Sequence, residues 1–326
     1  MGSWALGAII ALLASLIIAT NGLVAIILLF LIQKSSSKGL CFVLNLAIAD
    51  TMVGFTVMGL AIDEISQPFY PSQNFCTLRM AFVVSSSAAS ILSLILVACD
   101  RHLAIRKPFH YFQLVTGLRV GICLVGLWLV AATVGFLPVF VPCLQMFSNR
   151  GKCSFFHVFH PAYLLTLFLT GFFPALLLFL YLYCDMLKIA SVHVQHIQEV
   201  EQAGLAGGCP PPRTISDMKA MRTVATLIGC FTLSWLPFFI ASIVLMFCTQ
   251  CFPYKVIENF LWLLGLGNSL LNPLLYSYWQ RDVRLQLSHL AADVKRKVLL
   301  RLGKGRCFPG RDPKPLPAVS CLQLQD

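Results

Sequence analysis

Ser93-Leu94-Ile95-Leu96-Val97-Ala98-Cys99-Asp100-Arg101-His102-Leu103-Ala104-Ile105-Arg106 is an apolar run that ends in an acid–base pair, with a second basic residue one turn further on. Asp100 and Arg101 are too charged for the middle of a bilayer, where such a residue costs about 2.5–3.5 kcal/mol on insertion scales. At the inner edge of a membrane Arg101 can reach water or a protein partner. Two readings fit these residues alone: a stop-transfer flank, or a charged switch at the foot of a transmembrane helix. The other apolar runs decide between them.

The chain has 326 residues, 58% hydrophobic and 11% charged. A soluble domain carries about 25% charged residues, and the mean hydropathy here is +0.81. That balance places the chain in a membrane. A helical span needs about 20 apolar residues, and seven runs supply them, at residues 4–32, 40–62, 77–99, 117–141, 159–184, 223–247 and 256–279. The first does not read as a cleaved signal. It has no positive flank before it and is about twice as long as a signal's apolar core.

The basic residues set the orientation, because cytoplasmic loops collect Lys and Arg. With the N-terminus outside, 20 of the 24 Lys and Arg fall inside, leaving Arg79, Arg150, Lys152 and Lys255. An odd number of spans is then required, as seven provides. The net charge of +11 reports this topology and attraction to anionic inner-leaflet lipid, so nucleic acid is not expected as a partner.

Polar residues within the runs are few. Asn21 is the one strongly polar side chain of the first span, and Asp50 puts a carboxylate inside the second. Such residues face the interior of a helix bundle and pair there. The third span is rich in small residues from Ser85 to Ser90, which suits a helix packed on several sides. Pro138 and Pro142 are expected to end the fourth span, and Pro174 and Pro237 to kink the fifth and sixth. His157 with His160, and His193 with His196, have no third ligand nearby and read as solvated, not metal-binding. Cys76, Cys143, Cys153, Cys248 and Cys251 fall on the oxidising side, where they can pair. Cys248 and Cys251 fit a small loop disulfide better than a redox motif.

Seven spans with these residues in this order resemble the rhodopsin-like (class A) G-protein-coupled receptors, over every span. Asn21 matches the first-helix asparagine, Leu46-Ala47-Ile48-Ala49-Asp50 the second-helix motif and Asp100-Arg101-His102 the Asp-Arg-Tyr motif. Trp128, Pro174, Ser234-Trp235-Leu236-Pro237 and Asn272-Pro273-Leu274-Leu275-Tyr276 match the remaining helices. The resemblance implies an all-α fold with a seven-transmembrane helix bundle over 1–280. Beyond the bundle it implies a short amphipathic eighth helix over 281–292 and a basic cytoplasmic tail over 293–326. It implies a multi-pass plasma-membrane receptor and no enzyme.

The resemblance also assigns roles. Cys76 and Cys153 match the disulfide that ties the third helix to an outer loop. Asp50, Ser90, Asn268, Ser269 and Asn272 match a site for water and an allosteric sodium ion; no other metal or cofactor is implied. Ile91, Pro174 and Phe231 match a packing triad that rearranges on activation. Arg101 would meet the G protein, with Asp100, His102, Asp217 and Tyr276 completing the switch; at rest it would pair with Asp100 and Asp217. His102 replaces the family's tyrosine, and Leu182 stands where the fifth helix usually carries a tyrosine that meets Tyr276.

The outer half of the bundle is apolar and aromatic: Phe82, Phe155, Phe156, Trp235, Phe238, Phe239 and Trp262, with Arg79 and Glu258 at its rim. That composition suits a long acyl chain with a small polar head. Ala81-Phe82-Val83-Val84 offers no counter-ion for an amine. Within the family, the local sequences are similar to receptors for fatty-acid ethanolamides and lysophospholipids. The expected partners are therefore a lipid ligand, the stimulatory G protein that raises cyclic AMP, and membrane lipids, with arrestin and receptor kinases beyond them. The alternatives are another apolar ligand of a class A receptor, or an ion-coupled transporter working through Asp50. Against the transporter, no internal repeat with matching broken helices is found.

Overall fold

The computed structural model describes residues 3–34, 38–65, 72–146, 153, 155–202, 212–248, 256–279, 283–290, 292 and 295–296. Within these, the side chains at 3, 63, 190, 193–194, 196–202, 212–224, 258–259 and 276–279 are outside the described set. Asp217, Glu258 and Tyr276 thus lie on described helices, but their side chains are not among those described.

Lipid offers no partner to a bare N–H or C=O, so a spanning segment must close its hydrogen bonds within itself. The apolar runs accordingly form helices: α1 (Ser3–Lys34), α2 (Leu40–Ile65), α3 (Gln73–Arg106) and α4 (Gly117–Phe140). α5 runs through Pro161–Leu167, a π turn at Phe168–Phe172, and Phe173–Gln202. α6 is Pro212–Phe247, and α7 is a π turn at Ile257–Leu261 continued by Trp262–Trp279. Stretches of the first six are long and apolar enough to cross a bilayer. A further helical stretch covers 283–290, with Leu285 and Leu290 exposed. Residues 297–326 of the basic tail lie outside the described residues.

Helix starts carry side-chain caps. The Ser72 hydroxyl accepts from Phe75 N, that of Thr116 from Arg119 N, and His160 Nδ1 from Ala162 N at 3.2 Å. α3 is the hub and packs on α2, α4, α5 and α6. Its small residues Ser85, Ser86, Ala89, Ser90 and Ser93 are buried, as the sequence led one to expect of a central helix. α4 differs: it buries the stripe Val120, Leu127, Ala131, Gly135 and Pro138. Its other faces turn Leu118, Ile122, Val125, Leu129 and Phe140 outward. Apolar residues all around with burial on one side are the mark of a helix bathed in lipid.

Pro138 does not end α4. It lies inside the helix, which runs on to Phe140 before a short turn at Pro142–Leu144. Outside α4, the loop returns through a bridge between Gln145 and Phe159, with Met146 N donating to Val158 O at 2.8 Å. A disulfide between Cys76 and Cys153 fastens this loop to the first turn of α3. Cys248 is also disulfide-bonded; Cys251 is outside the described residues.

Candidate functional site

Three groups of polar or aromatic residues lie along the bundle. The first surrounds a cavity of about 410 Å³. Val84, Ala88 and Ile91 of α3 form one wall, Phe168 and Phe172 of α5 another, and Trp235, Phe238 and Phe239 of α6 the floor and third wall, with Trp262 of α7 beside them. The rings interlock: Phe172 stacks on Phe239 at 3.9 Å, Phe168 meets Phe239 edge-on at 4.7 Å, and Trp235 lies 5.7 Å from Phe239. None of the described lining residues is charged.

The cavity also reaches the lipid-facing surface. Val130 of α4 and Thr170, Gly171 and Pro174 of α5 line it and are exposed. The π turn at Phe168–Phe172 explains this rim. It inserts one extra residue per turn, so the helix beyond it is rotated and Pro174 is carried outward.

The residues of the expected packing triad lie at and behind this cavity. Ile91 lines the cavity, but Pro174 sits on its exposed rim, and fully buried Phe231 packs on Phe172 and Phe179 at 5.6 and 5.2 Å. Phe82 departs from expectation. It is 45% exposed and meets Phe136 of α4 edge-on, away from the cavity. Arg79 lies over the Phe75 ring at 4.7 Å, not against the cavity. Phe155 lines the cavity, and Phe156 backs it through Phe155 and Phe238. Ser87, Leu92, Ile95, Val130, Val134, Thr170 and Leu178 are lining residues that the sequence did not single out. Their small or aliphatic side chains carry no signal distinguishing them from lipid-facing neighbours.

At mid-membrane hydrogen-bonded polar residues join five helices. Asp50 is fully buried and accepts from Ser90 Oγ at 2.6 Å and Asn272 Nδ2 at 2.8 Å; the Ser269 hydroxyl also acts on it. Asn45 donates to Ser93 Oγ at 2.7 Å and accepts from Trp128 Nε1 at 2.9 Å. Asn21 donates to Ser269 O at 2.8 Å. Pro273 explains why that carbonyl is open, since it has no N–H to return to the residue four positions earlier.

At the end of α3 away from the cavity, Arg101 is folded onto Asp100, its Nε donating to Oδ2 at 2.9 Å. Asp100 also accepts from the Tyr111 hydroxyl at 2.7 Å. Burial, with the Asp100 carboxylate adding to it, holds that hydroxyl well above the usual phenol range, so it remains a donor. Gly39 closes over this group: a Cβ there would lie 2.7 Å from Arg101 Nη2, Asp100 Oδ2 and Tyr111 Oη. One turn along, His102 Nε2 and Arg106 Nη1 both reach Asp185 Oδ2 of α5, at 2.7 and 2.8 Å. Tyr111 and Asp185 were missed because nothing local marks them. Only the fold brings them to α3. Leu182, in place of the expected tyrosine, is buried.

An apolar outer cavity, a buried carboxylate node and a folded arginine on one seven-helix bundle define a membrane receptor. The chain belongs to the 7 transmembrane receptor (rhodopsin family), which residues 20–276 match. It is therefore a class A G-protein-coupled receptor, a multi-pass plasma-membrane protein that takes a ligand and a G protein, and not an enzyme. It is 54% identical to the glucose-dependent insulinotropic receptor of Homo sapiens, over 95% of this chain and 94% of the relative. To that of Rattus norvegicus it is 55% identical, over 89% of this chain and 62% of the relative's length. The 5-hydroxytryptamine receptor 4 of Rattus norvegicus is 31% identical over 74% of this chain and 65% of its own.

Proposed function

We propose that this receptor is activated by single-chain lipids, fatty-acid ethanolamides such as oleoylethanolamide and lysophospholipids, and signals through the stimulatory G protein to raise cyclic AMP. The supporting observation is the cavity: about 410 Å³, without a charge among its described lining residues, and open to the lipid-facing surface. Its size falls within the range of about 300–1,000 Å³ for small-molecule sites. An apolar tail leaves the bilayer for a lining of equal polarity, while the ring cluster supplies closer packing than fluid lipid does. The name of the human and rat insulinotropic relatives is in keeping with a role in insulin secretion. The name of the 5-hydroxytryptamine relative points to an amine, but the described lining residues include no carboxylate to receive one. The N-terminus is placed outside and the C-terminus in the cytoplasm, following the basic residues.

Cyclic AMP in transfected cells tests the reading. Oleoylethanolamide should raise it, and Gly171→Phe should shift the half-maximal concentration upward by about tenfold or more, a loss of some 1.4 kcal/mol. Gly171 is exposed and nothing crowds its Cβ position, the nearest neighbour being Leu167 Cδ1 at 4.0 Å. The new ring therefore fills the opening without disturbing the fold. Failure of every lipid amide and lysophospholipid to raise cyclic AMP would defeat the ligand assignment.

The Asp50 node suits a sodium ion. Asn268 Oδ1 and Asn272 Oδ1 are buried oxygens without a hydrogen-bond partner, and Asp50, Ser90 and Ser269 complete the set of oxygen donors around the carboxylate. A bound cation would neutralise the buried charge.

The inner end reads as the switch, in its resting form. Arg101 is held by Asp100, and α5 is held to α3 by Asp185. An agonist acts on such a switch only through different affinities for its two arrangements. Asp185→Ala should raise agonist-independent cyclic AMP at equal surface expression. His102→Ala should add little on top of it, because both remove the same contact. Basal signal equal to wild type in both variants would show that the clamp does not bias the switch.

A further inference from the structure

Two prolines four residues apart shape the outer end of α4. Pro138, inside the helix, has no N–H to give the Val134 carbonyl one turn earlier. Pro142 gives none to the Pro138 carbonyl. Both carbonyls are met by side chains. The Tyr163 hydroxyl, from the first turn of α5, donates to Val134 O, and Gln145 Nε2 donates to Pro138 O at 2.7 Å. The two bonds differ in reach. Gln145 belongs to the segment leaving α4, so its bond folds that segment back on its own helix. Tyr163 belongs to α5, so its bond ties two helices together.

The height of this tie matters. Val134 lines the cavity, and so do Val130, one turn deeper in α4, and Thr170, Gly171 and Pro174, deeper in α5. The last four are exposed, whereas Tyr163 is buried. The cavity therefore meets the lipid-facing surface below the tie and is closed at it. Parting α4 from α5 at this level strips Val134 O of its donor, and no acyl chain can replace it.

We infer that Tyr163 is a specificity-determining residue. Its hydroxyl, held on the carbonyl that Pro138 frees, fixes the outer edge of the opening between α4 and α5 and limits passage to one slender acyl chain. The inference rests on the lipid reading of the cavity given above. A lipid with two chains needs a wider opening, which the tie resists.

The test uses the full receptor in nanodiscs, with exposed Cys123, Cys143 and Cys184 replaced by alanine. Spin labels go at Leu137 of α4 and Thr166 of α5, both exposed. Their separation is measured beside competition for radiolabelled oleoylethanolamide by unlabelled oleoylethanolamide and by dioleoylglycerol. Tyr163→Phe keeps the ring and removes the tie. It should broaden the α4–α5 distance distribution and improve dioleoylglycerol relative to oleoylethanolamide by about tenfold or more, the discrimination expected of a steric boundary in an apolar site. Gln145→Ala removes the companion bond without touching α5 and should change neither quantity. An unchanged ratio in Tyr163→Phe, or equal changes in both variants, overturns the inference. If oleoylethanolamide binds to neither wild type nor variants, the lipid reading fails and this inference falls with it. Binding with unaltered selectivity sinks the inference alone.

Discussion

Gly135→Ala is expected to destabilise the receptor, although alanine is the better helix former. In an open helical position the exchange should stabilise by up to about 1 kcal/mol. At Gly135 the new Cβ would lie 2.6 Å from the Ala81 carbonyl oxygen and 2.7 Å from Ser85 N. Both are backbone atoms of α3, which cannot swing aside as a side chain can, so α3 and α4 must part. Overpacking of this kind costs about 1–3 kcal/mol, enough to reverse the sign. α4 carries its own control: nothing lies within 4 Å of a Cβ built on Gly126. Thermal unfolding of the solubilised receptor should show Gly135→Ala below wild type and Gly126→Ala at or above it. Equal midpoints for the two variants would mean that the α3–α4 contact is not tight.

Asp50→Ala is expected to separate ligand binding from signalling. The carboxylate is the one group that Ser90 of α3 and Asn272 of α7 share with α2. Removing it strands the buried donors Ser90, Asn272 and Ser269, at about 1–3 kcal/mol each, while relieving the cost of a buried charge. The fold therefore changes little in stability, but the three helices lose their common partner. Since the cavity lies elsewhere in the bundle, agonist affinity should stay near wild type. The response should weaken by the size of a typical coupling energy, about 1–3 kcal/mol or five- to 150-fold. The sodium reading proposed above adds a second outcome: agonist affinity should depend on sodium in wild type and not in Asp50→Ala or in Asp50→Asn, which keeps the shape. A full cyclic AMP response in Asp50→Ala would remove the node from the signalling route.

Much of this was legible from residue chemistry. The apolar runs located the helices because length and hydropathy are what lipid demands. The exception is their ends: α3 continues through Asp100-Arg101-His102 to Arg106, since charge at a membrane edge need not stop a helix. Asp50 was legible because a carboxylate in an apolar run has few explanations. The exposure of Pro174 was not legible, because a π turn leaves no local mark and one extra residue rotates everything after it. Phe82 misled because an aromatic on a hub helix can face a neighbour or the cavity, and only packing against Phe136 settles which. Asp185 and Tyr163 act across helices, and pairs distant in sequence have no period to betray them.

The proline-freed carbonyls have a consequence for how this chain can vary. Pro273 opens Ser269 O, and Asn21 closes it; Pro138 opens Val134 O, and Tyr163 closes it. Each proline thereby makes a second position, on another helix, answerable to it. Drift at Tyr163 should be tolerated where Pro138 has already given way to a residue with an N–H, and rejected where it has not. Such pairs should be inherited together, as partners that lineages keep or discard as one.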